Sequence, residues 1–135
     1  MKLLFLVSAG GAIGAALRFL TYQLFAGQLF AGSLVARDGP AFPWATLTIN
    51  VAGSFLMGLA TVTILERFEA SAEMRAFVMA GILGGFTTFS AFSLDVFDLF
   101  ANRSLVAVTG YIAGSVVLSI AGLFAGVALA RWTLT

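Results

Sequence analysis

Apolar residues fill four long stretches of this chain, and none of these stretches carries a continuous polar face. They cover about residues 3–26, 44–65, 75–100 and 104–130. A membrane helix needs about 20 predominantly apolar residues to cross a hydrocarbon core of about 30 Å. A helix of a water-soluble bundle would show one polar face instead. The pattern therefore predicts an all-α membrane protein in which residues 1–135 form a single four-helix transmembrane domain.

The third stretch differs from the others between residues 81 and 93, where glycines and hydroxyl side chains interrupt the apolar run. Gly81, Gly84 and Gly85 weaken a helix, and the Thr and Ser residues that follow can divert its hydrogen bonds. We expect the helix to break near Gly84 and Gly85, the middle of the stretch, and to resume through Phe89. Broken backbone at membrane depth occurs only where protein or a watery cavity satisfies it, so the break indicates an ion or substrate path.

The connections are short and carry the turn-forming and charged residues. The segment 28–43 includes the turn signal Arg37–Pro40, and Asn102 and Arg103 make a tight turn. Residues 66–75 form a charged connection that we expect to be solvated. The first stretch also resembles a secretory signal that begins at Lys2, although cleavage there would leave an odd number of spans. A retained first membrane helix is the preferred interpretation.

Composition agrees with a membrane protein and excludes several functions. The chain is 61% hydrophobic and 10% charged, and its mean hydropathy is +1.06. A net charge of +1 does not create the strong positive electrostatic potential that attracts nucleic acid. There is no cysteine or histidine, which removes disulfides, thiolate chemistry and histidine metal sites. No nucleotide-binding or catalytic motif is present, so we expect no enzyme.

Two polar residues of the first two stretches have more than one interpretation. Asn50 lies on one helix face with Thr46 and Ser54, four residues away on either side. Its amide either bonds a neighbouring helix or presents N–H donors to a passing ligand. Arg18, near the far end of the first stretch, either extends to the membrane interface or places a positive charge in a vestibule.

The third and fourth stretches carry two further candidate faces. Phe89 and Phe92 share a face of the resumed helix, and the positive edge of a phenyl ring can face an anion. The alternative is that both rings serve only as core or lipid contacts. In the fourth stretch Tyr111, Ser115 and Ser119 follow one another at steps of four residues, which predicts a row of hydroxyl groups. Glycines form a second, small-residue face; they are Gly110, Gly114, Gly122 and Gly126.

The charges near the helix ends give only a weak preference for one orientation in the membrane. The side with both termini receives Lys2, Arg67, Arg75 and Arg131, and the other side receives Arg37 and Arg103. Because Lys and Arg determine orientation, a weak bias predicts insertion in both directions. Two opposed copies would form an antiparallel homodimer, and four helices are few to enclose a path alone.

These motifs together resemble the Fluc or CrcB family of small fluoride channels over essentially the whole chain. The resemblance is carried by Gly10–Arg18, by Asn50–Phe55 with Gly58, and by Gly81 with the highly specific run Gly84–Phe92 (GGFTTFSAF). The chain departs from the family pattern at Ala91, where a threonine is common, and at Asp95, where a glutamate is expected. The first change removes a hydroxyl next to Ser90, and the second shortens the reach of a carboxylate.

The resemblance implies a dual-topology homodimer with two antiparallel pores in the cell membrane, the inner or plasma membrane. These pores would export fluoride passively and so prevent toxic accumulation. The implied fluoride path consists of Asn50, Phe89, Phe92, Ser90, Tyr111, Ser115 and Ser119. The carbonyl groups of Gly84 and Thr87, doubled by the dimer, would hold a central structural Na⁺. A fixed Lys or Arg in the pore would bind an anion too tightly, and the middle of the second, third and fourth stretches has none.

Two other classes remain as alternatives. A small multidrug-type proton-coupled exporter also has four helices and forms dimers, but it needs a titratable carboxylate deep in a helix, and only Asp95 is a candidate. A structural membrane subunit would use every polar residue as a helix contact. It predicts that the purified protein transports no ion.

Overall fold

The computed structural model describes residues 1–26, 42–67, 70–102 and 105–134. Within these residues four helices are long and apolar enough to cross a membrane, and we number them in chain order. The first is Lys2–Phe25, the second Trp44–Glu66, the third Ala72–Ala101 and the fourth Leu105–Leu134. The predicted all-α fold with four membrane-length helices is therefore confirmed. Most of the predicted connection at 28–43, and the turn residue Arg103, lie outside the described residues.

The first helix packs on the N-terminal half of the third through glycines. A Cβ atom added to Gly14 would lie 2.7 Å from the backbone nitrogen of Phe86 and 2.9 Å from the carbonyl carbon of Gly85. A Cβ on Gly85 would lie 2.6 Å from the carbonyl oxygen of Gly11. Small residues spaced in this way let two backbones touch.

The second helix packs on the fourth in the same manner. A Cβ on Gly58 would lie 2.9 Å from the backbone nitrogen of Val127, and one on Gly126 would lie 3.0 Å from that of Leu59. The small-residue face of the fourth helix therefore contacts the second helix only toward its C-terminal part. A Cβ on Gly110 or Gly114 would meet nothing within 4 Å among the described residues.

The third helix changes its hydrogen bonding along its length. The hydroxyl of Ser71 caps its start by accepting a hydrogen bond from the Met74 N–H, 3.3 Å away. Wide π-type turns run over Ala76–Leu83, and a single α-turn follows at Gly84–Phe86. Thr87 then has an extended backbone (φ −74°, ψ 158°), and helical structure resumes at Phe89–Asn102.

Ion pairs join the helices at the end of the bundle that holds both termini. Lys2 Nζ lies 3.2 Å from a carboxylate oxygen of Glu73, and Arg131 Nη2 lies 2.7 Å from one of Glu66. Both pairs are well exposed, and such pairs contribute between about 0 and 1 kcal/mol. Close packing of the glycine faces, rather than charge pairing, therefore holds the four helices together.

Replacing Gly14 with alanine tests this packing directly. We expect Gly14→Ala to destabilise the protein by about 2–3 kcal/mol, because its methyl group would overlap backbone atoms that cannot move aside. Gly114→Ala is the matched control, since a methyl group there meets open space among the described residues, and it should change stability little. Thermal unfolding of the two variants in detergent measures the difference. Equal stability would show that the first helix does not contact the third at Gly14.

Candidate functional site

Asn50 binds both backbone polar groups of Thr88, which lies at the interruption of the third helix. Its Oδ1 accepts a hydrogen bond from the Thr88 N–H at 2.9 Å, and its Nδ2 donates to the Thr88 carbonyl at 3.0 Å. Two polar backbone groups inside an apolar bundle are satisfied in this way. The contact is the interhelical bond considered from the sequence, but one N–H of the Asn50 amide is not used by it.

The hydrogen bonds around Thr88 release two backbone carbonyl groups. In a continuous helix the Thr88 N–H would bond the Gly84 carbonyl, and the Ala91 N–H would bond the Thr87 carbonyl. The Thr88 N–H instead donates to Asn50, and the Ala91 N–H donates to the Thr88 hydroxyl at 3.2 Å. Gly84 and Thr87, the residues implied as sodium ligands, are thus among the residues whose usual helical donors bond elsewhere.

Thr87 makes two further contacts that fix its position. Its N–H and its hydroxyl both donate to the Leu83 carbonyl, at 3.1 and 3.0 Å. Its carbonyl accepts a hydrogen bond from Arg18 Nη1 at 3.2 Å. Arg18 therefore turns inward to the interruption of the third helix. Carbonyl oxygens are the ligand type that a hard cation prefers, so the Gly84 and Thr87 carbonyl groups have the chemistry that a sodium site would need.

An open cavity of about 530 Å³ lies between the second, third and fourth helices at this point. Its lining includes most of the site residues predicted from the sequence. These are Asn50, Gly84, Thr87, Phe89, Phe92, Ser115 and Ser119. The remaining lining residues are Gly53, Ser54, Met57, Thr88, Val116, Ile120 and Leu123. No lining residue among the described part of the chain is charged, so the cavity offers dipoles rather than fixed charges.

The fourth helix contributes hydroxyl groups from one face. Ser115 and Ser119 lie one turn apart and both line the cavity. Ser115 is only 5% exposed, and its Oγ has no hydrogen-bond partner among the described residues. A buried hydroxyl without a partner costs free energy, so it is a feature that a ligand in the cavity would satisfy.

The two phenylalanines lie side by side at the cavity. Their ring centroids are 5.5 Å apart, with the ring planes tilted by 44°. Phe92 is buried at 9% exposure, whereas Phe89 is 77% exposed on the surface of the chain. Phe92 also contacts the ring of Tyr111, at a centroid distance of 5.4 Å. Phe92 is thus held between two other rings.

Besides Arg18, three predicted site residues do not line the cavity. The hydroxyl of Tyr111 donates its single O–H to Asp95 Oδ2 at 3.0 Å. Asp95 lies half-buried at that bond. The hydroxyl of Ser90 lies 3.2 Å from that of Thr88 and helps to complete the cap of the resumed helix. Tyr111 adjoins the cavity lining through its ring, which packs against Phe92.

Sequence reasoning did not identify two contributors to the site. Thr88 caps the resumed helix with its hydroxyl, and a threonine directly before the first helical residue, here Phe89, is a usual capping signal. Phe42 packs edge-on against Tyr111, with centroids 5.5 Å apart and planes at 87°. No periodicity indicates the second contact, because Phe42 precedes the second helix.

The four apolar helices define a multi-pass α-helical membrane protein with a largely apolar cavity, which a few amide and hydroxyl groups also line. The sequence profile of the family described as CrcB-like protein, Camphor Resistance (CrcB), matches residues 5–127. The chain belongs to this family.

Curated relatives support the assignment over nearly the full chain. A protein of Rhizobium meliloti (strain 1021) is 46% identical over 131 residues, which cover 97% of this chain and 98% of the relative. A protein of Agrobacterium fabrum is 48% identical over 126 residues, covering 93% and 94%. One of Rhizobium etli (strain CFN 42) is 50% identical over 126 residues, with the same coverage. Each relative bears the name "Fluoride-specific ion channel FluC".

Proposed function

We propose that this chain forms a fluoride channel that lets the ion leave the cell passively, down its electrochemical gradient, and so prevents toxic accumulation. The observation that carries the proposal is the cavity in which Asn50, Ser115 and Ser119 meet the rings of Phe89 and Phe92. The names of the relatives supply the identity of the ion. The protein would act in the inner or plasma membrane.

The donors at the cavity suit a small, strongly hydrated anion. The unused N–H of Asn50 and the unpartnered hydroxyl of Ser115 can replace lost water, and the ring edges of Phe89 and Phe92 add weaker positive potential. No charged side chain among the described lining residues holds the anion in place. An ion can therefore enter and leave quickly, as conduction requires. The same lining lacks the carboxylate that a proton-coupled exporter needs, so we do not propose that function.

We further propose that two copies assemble in opposite orientations, with one pore for each copy. The residues at the interruption of the third helix support this arrangement, because Gly84 and Phe89 lie on the surface of the single chain. Polar backbone exposed to lipid at that depth would be costly. A second copy that covers this surface would shield the polar backbone groups from lipid. The charges give only a weak orientation preference, which permits insertion in opposite directions.

The carbonyl groups of Gly84 and Thr87 would hold the central sodium ion in such a dimer. One copy supplies two carbonyl groups that lack their helical donors, and the second copy doubles the number to the several oxygens that a hard cation prefers. A bound cation supplies positive charge near the anion paths. Asn50 and Thr88 take up the N–H donors that would otherwise bond these two carbonyl groups, although Arg18 still donates to that of Thr87.

Ser115→Ala tests whether the cavity is the path. We expect fluoride efflux from liposomes to fall about tenfold, because a donor to the ion is lost. The thermal stability should stay the same or rise, since the Ser115 hydroxyl bonds no described residue. Thr133→Ala is the control: that hydroxyl bonds the Leu129 carbonyl near the end of the fourth helix, outside the cavity lining, and should leave efflux unchanged. Normal efflux in Ser115→Ala would remove Ser115 from the path.

A further inference from the structure

Arg18 is a cationic side chain that reaches the interruption of the third helix. Its Nη1 donates to the Thr87 carbonyl at 3.2 Å, a contact between residues 69 positions apart. The side chain is partly buried. A guanidinium in apolar surroundings and a carbonyl that has lost its helical donor each carry a large cost alone, and the bond lowers both.

The same carbonyl oxygen is one of the two that the proposed sodium site uses. The Ala91 N–H, which would otherwise bond this oxygen, is held by the Thr88 hydroxyl, so the oxygen is open to a cation. A guanidinium and a sodium ion at one oxygen are two positive charges a few ångströms apart. Their repulsion is weakly screened inside a protein.

We propose that Arg18 and the sodium ion compete for the Thr87 carbonyl, so that Arg18 sets the sodium concentration at which the dimer centre fills. The inference rests on the sodium site of the proposed function. The new element is that Arg18, a side chain of the first helix, controls how far the sodium site is occupied. The opposite interpretation, in which Arg18 holds the carbonyl in place for sodium, predicts the opposite sign in every test below.

The first test measures dimer stability against sodium concentration, with N-methyl-D-glucamine keeping the ionic strength constant. Arg18→Gln removes the charge, and we expect the half-saturating sodium concentration to fall about tenfold, within the range of about 5- to 150-fold typical of coupled sites. Arg18→Lys keeps the charge and should stay within about twofold of the unaltered protein. Arg75→Gln removes an exposed charge outside the site and should have no effect. An unchanged or increased value in Arg18→Gln overturns the proposal.

The second test needs no variant, so it holds even if Arg18→Gln does not fold. Phenylglyoxal modifies accessible guanidinium groups, and peptide mass spectrometry reports each arginine separately. Sodium should accelerate modification of Arg18 severalfold, because the side chain is displaced from Thr87, while the exposed Arg75 reacts at a constant rate. Sodium that leaves Arg18 unaffected, or protects it, contradicts the proposal.

Fluoride efflux recorded on the same samples separates this inference from the proposed function. If dimer stability does not depend on sodium and efflux is normal, the sodium site and the competition both fail while the channel stands. If sodium stabilises the dimer but Arg18→Gln leaves its half-saturation unchanged, only the competition fails. Absence of efflux from a sodium-stabilised dimer contradicts the channel alone.

Discussion

Asn50→Asp is expected to lower fluoride efflux by at least about 100-fold. The substitution preserves the shape of the side chain but places a negative charge beside an anion path, and two like charges about 4 Å apart repel by about 4 kcal/mol at an effective dielectric constant near 20. It also replaces the Nδ2 group that donates to the Thr88 carbonyl. Efflux from liposomes and thermal unfolding, measured on the same preparation, record both consequences.

Asn50→Ala is the matched control, because it removes both bonds to Thr88 without adding a charge. We expect it to be the less stable of the two variants, since the carboxylate introduced by Asn50→Asp can still accept the Thr88 N–H. If Asn50 lies on the path, Asn50→Asp loses more efflux although it retains more stability. If the efflux of each variant instead falls only as far as its thermal stability falls, Asn50 serves only to hold the third helix in shape.

Gly84→Val is expected to leave the single chain folded and to abolish the dimer. A Cβ at Gly84 would meet only the Met79 carbonyl oxygen among the described residues, at 3.6 Å, which is ordinary contact. No other described atom lies within 4 Å of that carbon, so we expect the loss of assembly to come from contacts with a partner. Chemical cross-linking in membranes and the molar mass in detergent measure assembly.

Gly85→Val provides the contrast one residue later. A Cβ there would lie 2.6 Å from the Gly11 carbonyl oxygen, so this variant should fail within the chain and lose helix packing itself. A folded monomer for Gly84→Val and a poorly folded protein for Gly85→Val would agree with the proposed assembly. A normal dimer in Gly84→Val would place the symmetry centre away from Gly84.

The four helices could be predicted because the bilayer imposes their length and apolar character. Their ends could not be predicted as well, since local contacts determine them. The third helix begins at Ala72 rather than near Arg75, because Ser71 caps it. The fourth continues to Leu134 rather than stopping near Ala130, because its last turns remain largely apolar and Arg131 pairs with Glu66.

The position of the interruption illustrates the limit of reasoning from propensity. The prediction placed it at Gly84 and Gly85, the residues with the weakest helix preference. In the structure both glycines are helical, and Gly85 packs against the first helix. The non-helical residues are Thr87 and Thr88, where side chains from the second helix and from Thr88 itself take up the N–H groups. Glycine serves close packing here, and polar side chains redirect the backbone.

In the candidate site, too, spacing within one helix predicted some features, whereas contacts between helices were missed. Spacing alone correctly grouped Ser115 with Ser119, because residues one turn apart share a face. Spacing also grouped Tyr111 with them, but it did not indicate that the Tyr111 hydroxyl bonds Asp95 of the third helix. Contacts of that kind join residues of different helices, so periodicity within one helix cannot indicate them.

Ion efflux from liposomes tests the proposed channel function most directly. Liposomes that contain the purified protein are loaded with equal concentrations of fluoride and chloride. Valinomycin lets K⁺ leave with the anions, so that no membrane potential stops the efflux, and ion-selective electrodes record each anion. We expect rapid fluoride efflux with negligible chloride efflux. Folded protein that releases no fluoride, or that releases both anions equally, would contradict a fluoride-selective channel.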